Sequence, residues 1–414
     1  MDNTKQKIGV AIATGALLLN AFAPLAFAET TITINGNGTN SNNDANVNLN
    51  QTTNVTQDND AYVNNDVEVN ADTGDNDANS NTGGDVSITT GDAEGNVNVT
   101  NSLNANSANV DCCQTGDTTV KISGNGDNSD NNVNLDLTNK VKVKQYNDAY
   151  VNNWVDVNSD TGDNNANSNT GDGNVSITTG NAKGNVSLST AANFNSAMVG
   201  GSGNGGGSLS LWITDNGVNT DNDIDADLNS KLKIRQDNDA YVNNDVEVNA
   251  DTGDNDANSN TGDGDVTIDT GNASSDVEVD TMVNFNHAET DCGCLFGDLT
   301  VKVDGNGDNS DNNVNVDVNS DLNVNQDNYA DVDNEVEVED VETGDNNANS
   351  NTAGGDDSDP SITTGDAESN VDVSTSGNVN SFGSGSDFDF PDFDFDFDFN
   401  FNFDLSDLLD ALGL

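Results

Sequence analysis

The chain has 414 residues, of which 73 are acidic, 11 are basic and one is histidine, for a formal charge of −62. Such a surface repels nucleic acid and anionic lipid and attracts cations, which excludes nucleic-acid recognition. Leu, Ile, Val and Phe make up about a fifth of the chain, close to the level at which disorder is the default, so only a strong periodicity could argue for a fold.

Residues 1–28 read as a secretory signal peptide. Lys5 and Lys7 precede an apolar run, and Ala26 and Ala28 flank Phe27 as a small-x-small cleavage site, so the mature chain is expected to begin near Glu29. Without Asp2, Lys5 and Lys7 the balance becomes 72 acids against 9 bases. No later stretch is apolar and long enough to span a bilayer, so the expected location is secreted, extracellular or at the cell surface, with no integral span after cleavage.

Four units of about 90 residues follow, at 29–117, 118–207, 208–298 and 299–382, and a tail occupies 383–414. The string TGDN begins at Thr73, Thr161, Thr252 and Thr343, in steps of 88, 91 and 91. Residues 57–83 recur letter for letter at 236–262. The second unit closes on the Gly-rich stretch 200–208, which reads as a flexible hinge.

Within each unit a finer spacing shows. Alanines at 45, 61, 78, 93 and 108 are 15–17 residues apart, and short alternating runs such as Val67-x-Val69 and Val97-x-Val99 lie between them. Period-two alternation is a strand signal, and Gly, Asn and Asp supply the turns. The expected fold is therefore all-β: a repetitive β-solenoid, a β-helix-like stack of short strands in which each 15–17-residue step forms one coil. Val, Ile and Ala would point inward. Asn, Thr and Asp would point outward or form ladders between coils. The alternative is four tandem small antiparallel β-sandwich units, which would want bulkier core residues than the units offer.

Several groups could carry chemistry. Cys112 and Cys113 of the first unit match Cys292 and Cys294 of the third in phase, and an even count in an exported chain makes them disulfide candidates. In DGNGDNSD, the alternate residues Asp304, Asn306, Asp308 and Ser310 present oxygen ligands from a Gly-rich loop, as Ca²⁺ prefers, and TGDND adds Asp75, Asp77, Asp254 and Asp256. Calcium is the one candidate ligand; no organic cofactor is expected. In the tail, Phe388, Phe390, Phe393, Phe395, Phe397, Phe399, Phe401 and Phe403 alternate with Asp or Asn, and an aromatic ribbon of this kind reads as an assembly or docking strand. Catalysis finds no support: His287 is the only histidine, and no nucleophile set surrounds it.

The strings TGDNDANSNTG (73–83) and VSITTGDA (86–93), with their copies, resemble the Asn/Asp/Gly/Thr-rich strand-repeat proteins of bacterial surfaces, including candidate-phylum lineages. The resemblance covers nearly the whole mature chain and implies a repetitive β fold and a surface location. The N-x-A elements Asn59–Ala61 and Asn76–Ala78 give a fainter likeness to curlin-type fibre subunits, though Gln57, Gln145, Gln236 and Gln326 occur only once per unit. The expectation is a secreted, non-enzymatic structural or adhesive protein, a rod, adhesin or fibre component, whose partners are further copies or cell-surface components. The alternative is a calcium-binding matrix protein that folds when cations bind.

Overall fold

The computed structural model describes residues 8–10, 21–23, 29–110, 117–200, 208–290, 298–353 and 360–383. Among these every element is a strand. The first rung comprises β3 (Thr30–Asn35), β4 (Asn42–Asp72), β5 (Val86–Thr89) and β6 (Ala93–Val110). The second repeats it as β7 (Thr118–Ser123), β8 (Asp130–Asp160), β9 (Val175–Thr178) and β10 (Ala182–Val199). The third has β11 (Leu209–Thr214), β12 (Asp221–Asp251), β14 (Val266–Asp269) and β15 (Ala273–Thr290), with the short β13 (Thr261–Gly262) in its loop. The fourth has β16 (Leu299–Asp304), β17 (Asp311–Glu342), β19 (Ser361–Thr363) and β20 (Ala367–Phe382), with β18 (Thr352–Ala353) in its loop. Ahead of them, β1 (Ile8–Val10) and β2 (Ala21–Ala23) lie along the free edge of β6.

All rung-to-rung pairing is parallel and, apart from a one-residue shift between the third and fourth rungs after Val248, in register, as Asn42↔Asp130↔Asp221↔Asp311 and Ala93↔Ala182↔Ala273↔Ala367 show. The β-solenoid is thus the fold, and antiparallel sandwiches are ruled out. The coil is far larger than a 15–17-residue step, however: partners are 88–94 residues apart, so one whole unit makes one turn. The alanines at 45, 61, 78, 93 and 108 are successive inward positions around a single coil.

The reason lies in where glycine falls. Asn42–Asp72 holds no Gly or Pro, and its Asn-Asn and Asn-Asp strings continue as strand because both faces find partners one rung away. From Ala45 to Ala71 every odd residue faces inward and every even residue faces solvent. Among the described residues the turns of the first rung fall where glycine lies, after β3 and between β4 and β6. Gly162 shows why: a Cβ there would stand 2.2 Å from the Gly253 carbonyl oxygen, a distance no side chain tolerates.

Each rung is a flattened two-walled coil. β4 is one wall. β3 folds over its start, packing Ile32 and Ile34 near Val47 and Leu49, and β6 returns over the rest, with Leu103 near Val63 and Val97 and Val99 near Val67 and Val69. At the far end β5 closes on Ala78. In β6 the αL residue Asn104 (φ 55°) drops out of the pairing and shifts the inward phase by one, and Asn193, Asn284 and Asn378 do the same in their rungs. Asparagine tolerates this conformation better than other L-residues except glycine.

Between the apolar clusters the interior is polar and ordered. Asn59, Asn147, Asn238 and Asn328 form one amide ladder with Nδ2–Oδ1 distances of 3.0, 3.0 and 2.9 Å. Asn106, Asn195, Asn286 and Asn380 form a second on the opposite wall, and the two cross-link at each level, as Asn59 donates to Asn106 at 2.9 Å. The glutamines that occur once per unit form a complete third ladder, Gln145 to Gln57 at 2.8 Å, Gln236 to Gln145 at 2.9 Å and Gln326 to Gln236 at 2.7 Å. Once per unit is once per coil.

The dimensions follow. Thirty-one residues at about 3.3 Å each make a wall roughly 100 Å long, whereas four rungs about 4.8 Å apart span only about 14 Å. A single copy is a thin plank, long across the rungs rather than along the stack. Asn147 accepts from Asn59 and Asn106 and donates to Asn195 and Asn238. Replacing it with Ala strands several buried amide groups, and chemical denaturation should show a loss of about 2–4 kcal/mol with the β signature of the folded state unchanged.

Candidate functional surfaces

Among the described residues the inward side chains form apolar clusters and amide ladders, so the functional reading starts from the outer faces, the turn loops and the ends. The pocket beneath the 81–86 loops, lined by residues including Asn81, Val86, Asn169 and Val175, has room for no more than about one water.

The TGDN loop is built by its own side chains. Asp72 accepts from the Gly74 N–H at 2.8 Å, and Asn76 donates to the Thr73 and Gly74 carbonyls, each at 2.9 Å. Asp75 holds the αL turn at φ 54°, and Asp163, Asp254 and Asp345 repeat it. Stacking then lines up two carboxylate columns, Asp72–Asp160–Asp251–Glu342 and Asp75–Asp163–Asp254–Asp345. Burial, reinforced by neighbouring acids, raises Asp160, Asp163 and Asp254 above the usual carboxylate range. Asp251 goes furthest, to about 6: burial leads, the Gly253 N–H at 2.6 Å opposes it, and Asp160, Asp254 and Glu342 add to it.

Of the predicted calcium ligands, Asp75 and Asp254 thus lie in one of these columns. Asp77 and Asp256 lie in the next column but one, where they alternate with Asn165 and Asn347, and each accepts from a nearby asparagine, Asn79 at 3.2 Å and Asn258 at 3.1 Å. In the DGNGDNSD loop, Asn306 faces the core and accepts from Asn216 at 2.9 Å, while the Ser310 hydroxyl donates to the Gly307 carbonyl. Asp304 pairs with Lys302 at 3.6 Å, and Asp308 offers its backbone carbonyl to Asn219 at 3.0 Å. Among the described residues no three His, Cys, Asp or Glu side chains form a group able to hold a metal ion. Cys112, Cys113, Cys292 and Cys294, and Phe388, Phe390, Phe393, Phe395, Phe397, Phe399, Phe401 and Phe403, lie outside the described residues.

No protein-family model, curated protein or solved structure matches this chain. Its own surfaces must carry the functional reading.

Two outer-face features were not apparent from the sequence. Tyr62 and Tyr150 stack with ring centroids 5.0 Å apart and 3° between planes, Tyr241 follows in the same column, and Tyr329 meets it diagonally from the column of Asp239 at 5.7 Å. In the middle rungs, Lys140, Lys142 and Lys144 lie beside Lys231, Lys233 and Arg235, a two-by-three grid holding six of the nine bases after residue 28. Arg235 pairs with Asp237 at 2.9 Å and lies over the Tyr146 ring at 5.4 Å. Once the true period is known, both features can be read directly from the sequence at spacings of 88 and 91. No helix among the described residues is long and apolar enough to cross a membrane.

The raised carboxylate has a sign that can be tested. An unfolded Asp251 loses its proton near pH 4, whereas the folded one holds it to about pH 6. Between these values the native state binds more protons, so stability falls as pH rises through that window and levels off above it. Asp251→Asn keeps an oxygen for the Gly253 N–H and removes the charge. Its melting temperature should exceed that of the wild type at pH 7.5, and the two should converge near pH 4.

Proposed function

We propose that this chain is an exported, non-enzymatic structural or adhesive component of a cell surface. The observation that supports this best is that, among the described residues, inward side chains of neighbouring rungs pack or hydrogen-bond to one another, and the pocket lined by Asn81, Val86, Asn169 and Val175 holds no more than about one water. What remains for function is shape and surface: a plank with long, regular, acidic outer faces and a repeated tyrosine column. The apolar N-terminal run supports export, with removal near Glu29 leaving the plank and its Phe/Asp tail as the mature product. The resemblance to bacterial strand-repeat surface proteins agrees with that location.

The paired carboxylate columns favour a second reading, a secreted matrix protein that takes up calcium along its turn edge. Burial and like charge raise Asp160 and Asp251, and a divalent cation beside them would relieve both penalties. The two readings differ in what comes first, the fold or the ion. Calcium titration of the chain from Glu29, followed by far-UV circular dichroism, separates them. The structural reading expects full β signal in the presence of a chelator and only a rise in melting temperature with calcium. A coil that gains β structure only when calcium is added would favour the matrix protein. Export is checked by N-terminal sequencing of the product outside the cell, expected to start at or near Glu29; an intact Met1 terminus there would count against it.

A further inference from the structure

The two ends of the stack are unlike, and each lacks what the other carries. At the C-terminal end the core is open. Val303, Val318 and Val373 are 48%, 58% and 44% exposed, although the residues one rung earlier in the same columns, Ile213, Leu228 and Val279, are 0%, 3% and 1% exposed. Valines at that exposure along a whole rung form an apolar face awaiting cover.

At the N-terminal end an acceptor is stranded. Asn65 is 3% exposed, and its Oδ1 has no hydrogen-bond partner among the described residues. In the later rungs the equivalent oxygen always has one: Asn153, Asn244 and Asn334 each accept from the preceding rung, at 2.6, 2.7 and 2.6 Å. The inward asparagine columns through Asn43, Asn59, Asn65 and Asn106 all donate in this one direction. The ladder therefore starts on an unfilled oxygen and ends on the Asn334 amide, which donates to the Thr375 hydroxyl of its own rung at 3.0 Å.

Sequence identity says which surface fits. Residues 57–83 of the first rung are identical to 236–262 of the third, whose N-terminal face is covered by the second rung. The fourth rung shares TGDNNANSNT with the second, at 343–352 and 161–170. Two columns consequently alternate in charge, Asp44–Asn132–Asp223–Asn313 and Asp77–Asn165–Asp256–Asn347. Both begin on Asp and end on Asn, so a first rung placed after a fourth continues the alternation. Where the fourth rung carries Asp311, Asp317 and Asp333, the first carries Asn42, Asn48 and Asn64 in the same columns. An asparagine already donates to an aspartate of the preceding rung at Asn315–Asp225, 3.0 Å.

We propose that the partner at these ends is a second copy of this chain, its first rung stacked in register on the fourth rung of the copy before it, so that planks join into an open-ended filament. The inference rests on removal of the leader, because Ile8–Val10 and Ala21–Ala23 hold the β6 edge in the same register, Ile8 on Val97 and Ala21 on Ala108. Those two strands also show that the edge accepts a parallel partner. The leader would then keep the precursor single until cleavage.

The test uses purified chain from Glu29 in salt sufficient to screen its charge, followed by sedimentation velocity and electron microscopy. The expected result is a concentration-dependent linear series that grows in steps of about 19 Å, four rungs at the parallel-strand spacing. Val373→Asp should leave a single copy with unchanged circular dichroism. Asn42→Asp, whose column already stacks Asp on Asp in the inner rungs, should fold normally and weaken association about fivefold through one added like-charge pair. The full chain with its leader should stay single. A chain from Glu29 that is single at every concentration reached, or association that survives Val373→Asp, overturns the proposal. Association that appears only after residues 384–414 are removed also overturns it, and assigns the fourth-rung face to the tail. A plank found outside the cell as a single copy would overturn this inference and leave the proposed function standing; filaments from a chain that is never exported would do the reverse.

Discussion

Everything in this fold depends on one constraint: each inward side chain must meet its own kind, or a close relative, one rung away. In a parallel in-register stack a residue's main neighbour is about 4.8 Å above it and 88–94 positions along the chain. Asparagine and glutamine satisfy that neighbour with a side-chain amide that both donates and accepts, so a column such as Asn59–Asn147–Asn238–Asn328 hydrogen-bonds from rung to rung along its length. This is why a chain poor in large apolar residues can still bury a continuous interior. The apolar clusters are thin, and the zipper of Asn59 and Asn106 with its copies fixes the separation of the two walls where valine alone would leave register free to slip.

That constraint also explains which parts of the fold were legible. Alternation in runs such as Val67-x-Val69 marked the strands correctly, and the 88- and 91-residue recurrence marked the units. The size of the coil was not legible, because strings such as NNDAN and QDNDAY have the composition of turns. They stay extended because a similar string lies beside them, DNNVN beside NNDAN and QYNDAY beside QDNDAY, and that partner is invisible in a local window. Glycine position was the better signal: Asn42–Asp72 and its copies at 130–160 and 221–251 contain none, so no turn could form inside them. The single glutamine per unit read as a departure from a ladder, when one per coil is a full ladder.

The acidic motifs show the same limit. DGNGDNSD and TGDND carry alternate oxygens as calcium loops do, yet Asn306 and Ser310 direct theirs into the ladder and the turn. Asp and Asn in a tight αL turn look alike whether the oxygens serve an ion or the backbone. Only the direction of each side chain separates the two, and period and composition do not encode it. Surface columns such as Tyr62–Tyr150 and the Lys140–Arg235 grid were hidden for a simpler reason: they belong together only once the coil length is known.

Charge sets the remaining condition on such a stack. Two carboxylates one rung apart repel by about 1 kcal/mol even at the dielectric constant of water, and more where burial lowers it, as around Asp251. A chain with 73 acids cannot place them all in unbroken columns without losing its stability to repulsion. Three devices keep the sum tolerable. Asparagine replaces aspartate in alternate rungs, at Asn165 and Asn347 between Asp77 and Asp256, which doubles the distance between like charges and adds a shape-matched donor. The bases are gathered in the two inner rungs, where an outer-face charge has neighbours on both sides and the field of the surrounding acids is strongest. Of the columns that remain fully acidic, those of Asp72 and Asp75 lie at the turn edge and Glu68–Asp156–Glu247–Glu337 lies on the outer wall, where water and mobile cations reach them. Asparagine therefore has two roles in this chain: inside it carries the ladder, and outside it dilutes the charge that the ladder must hold together.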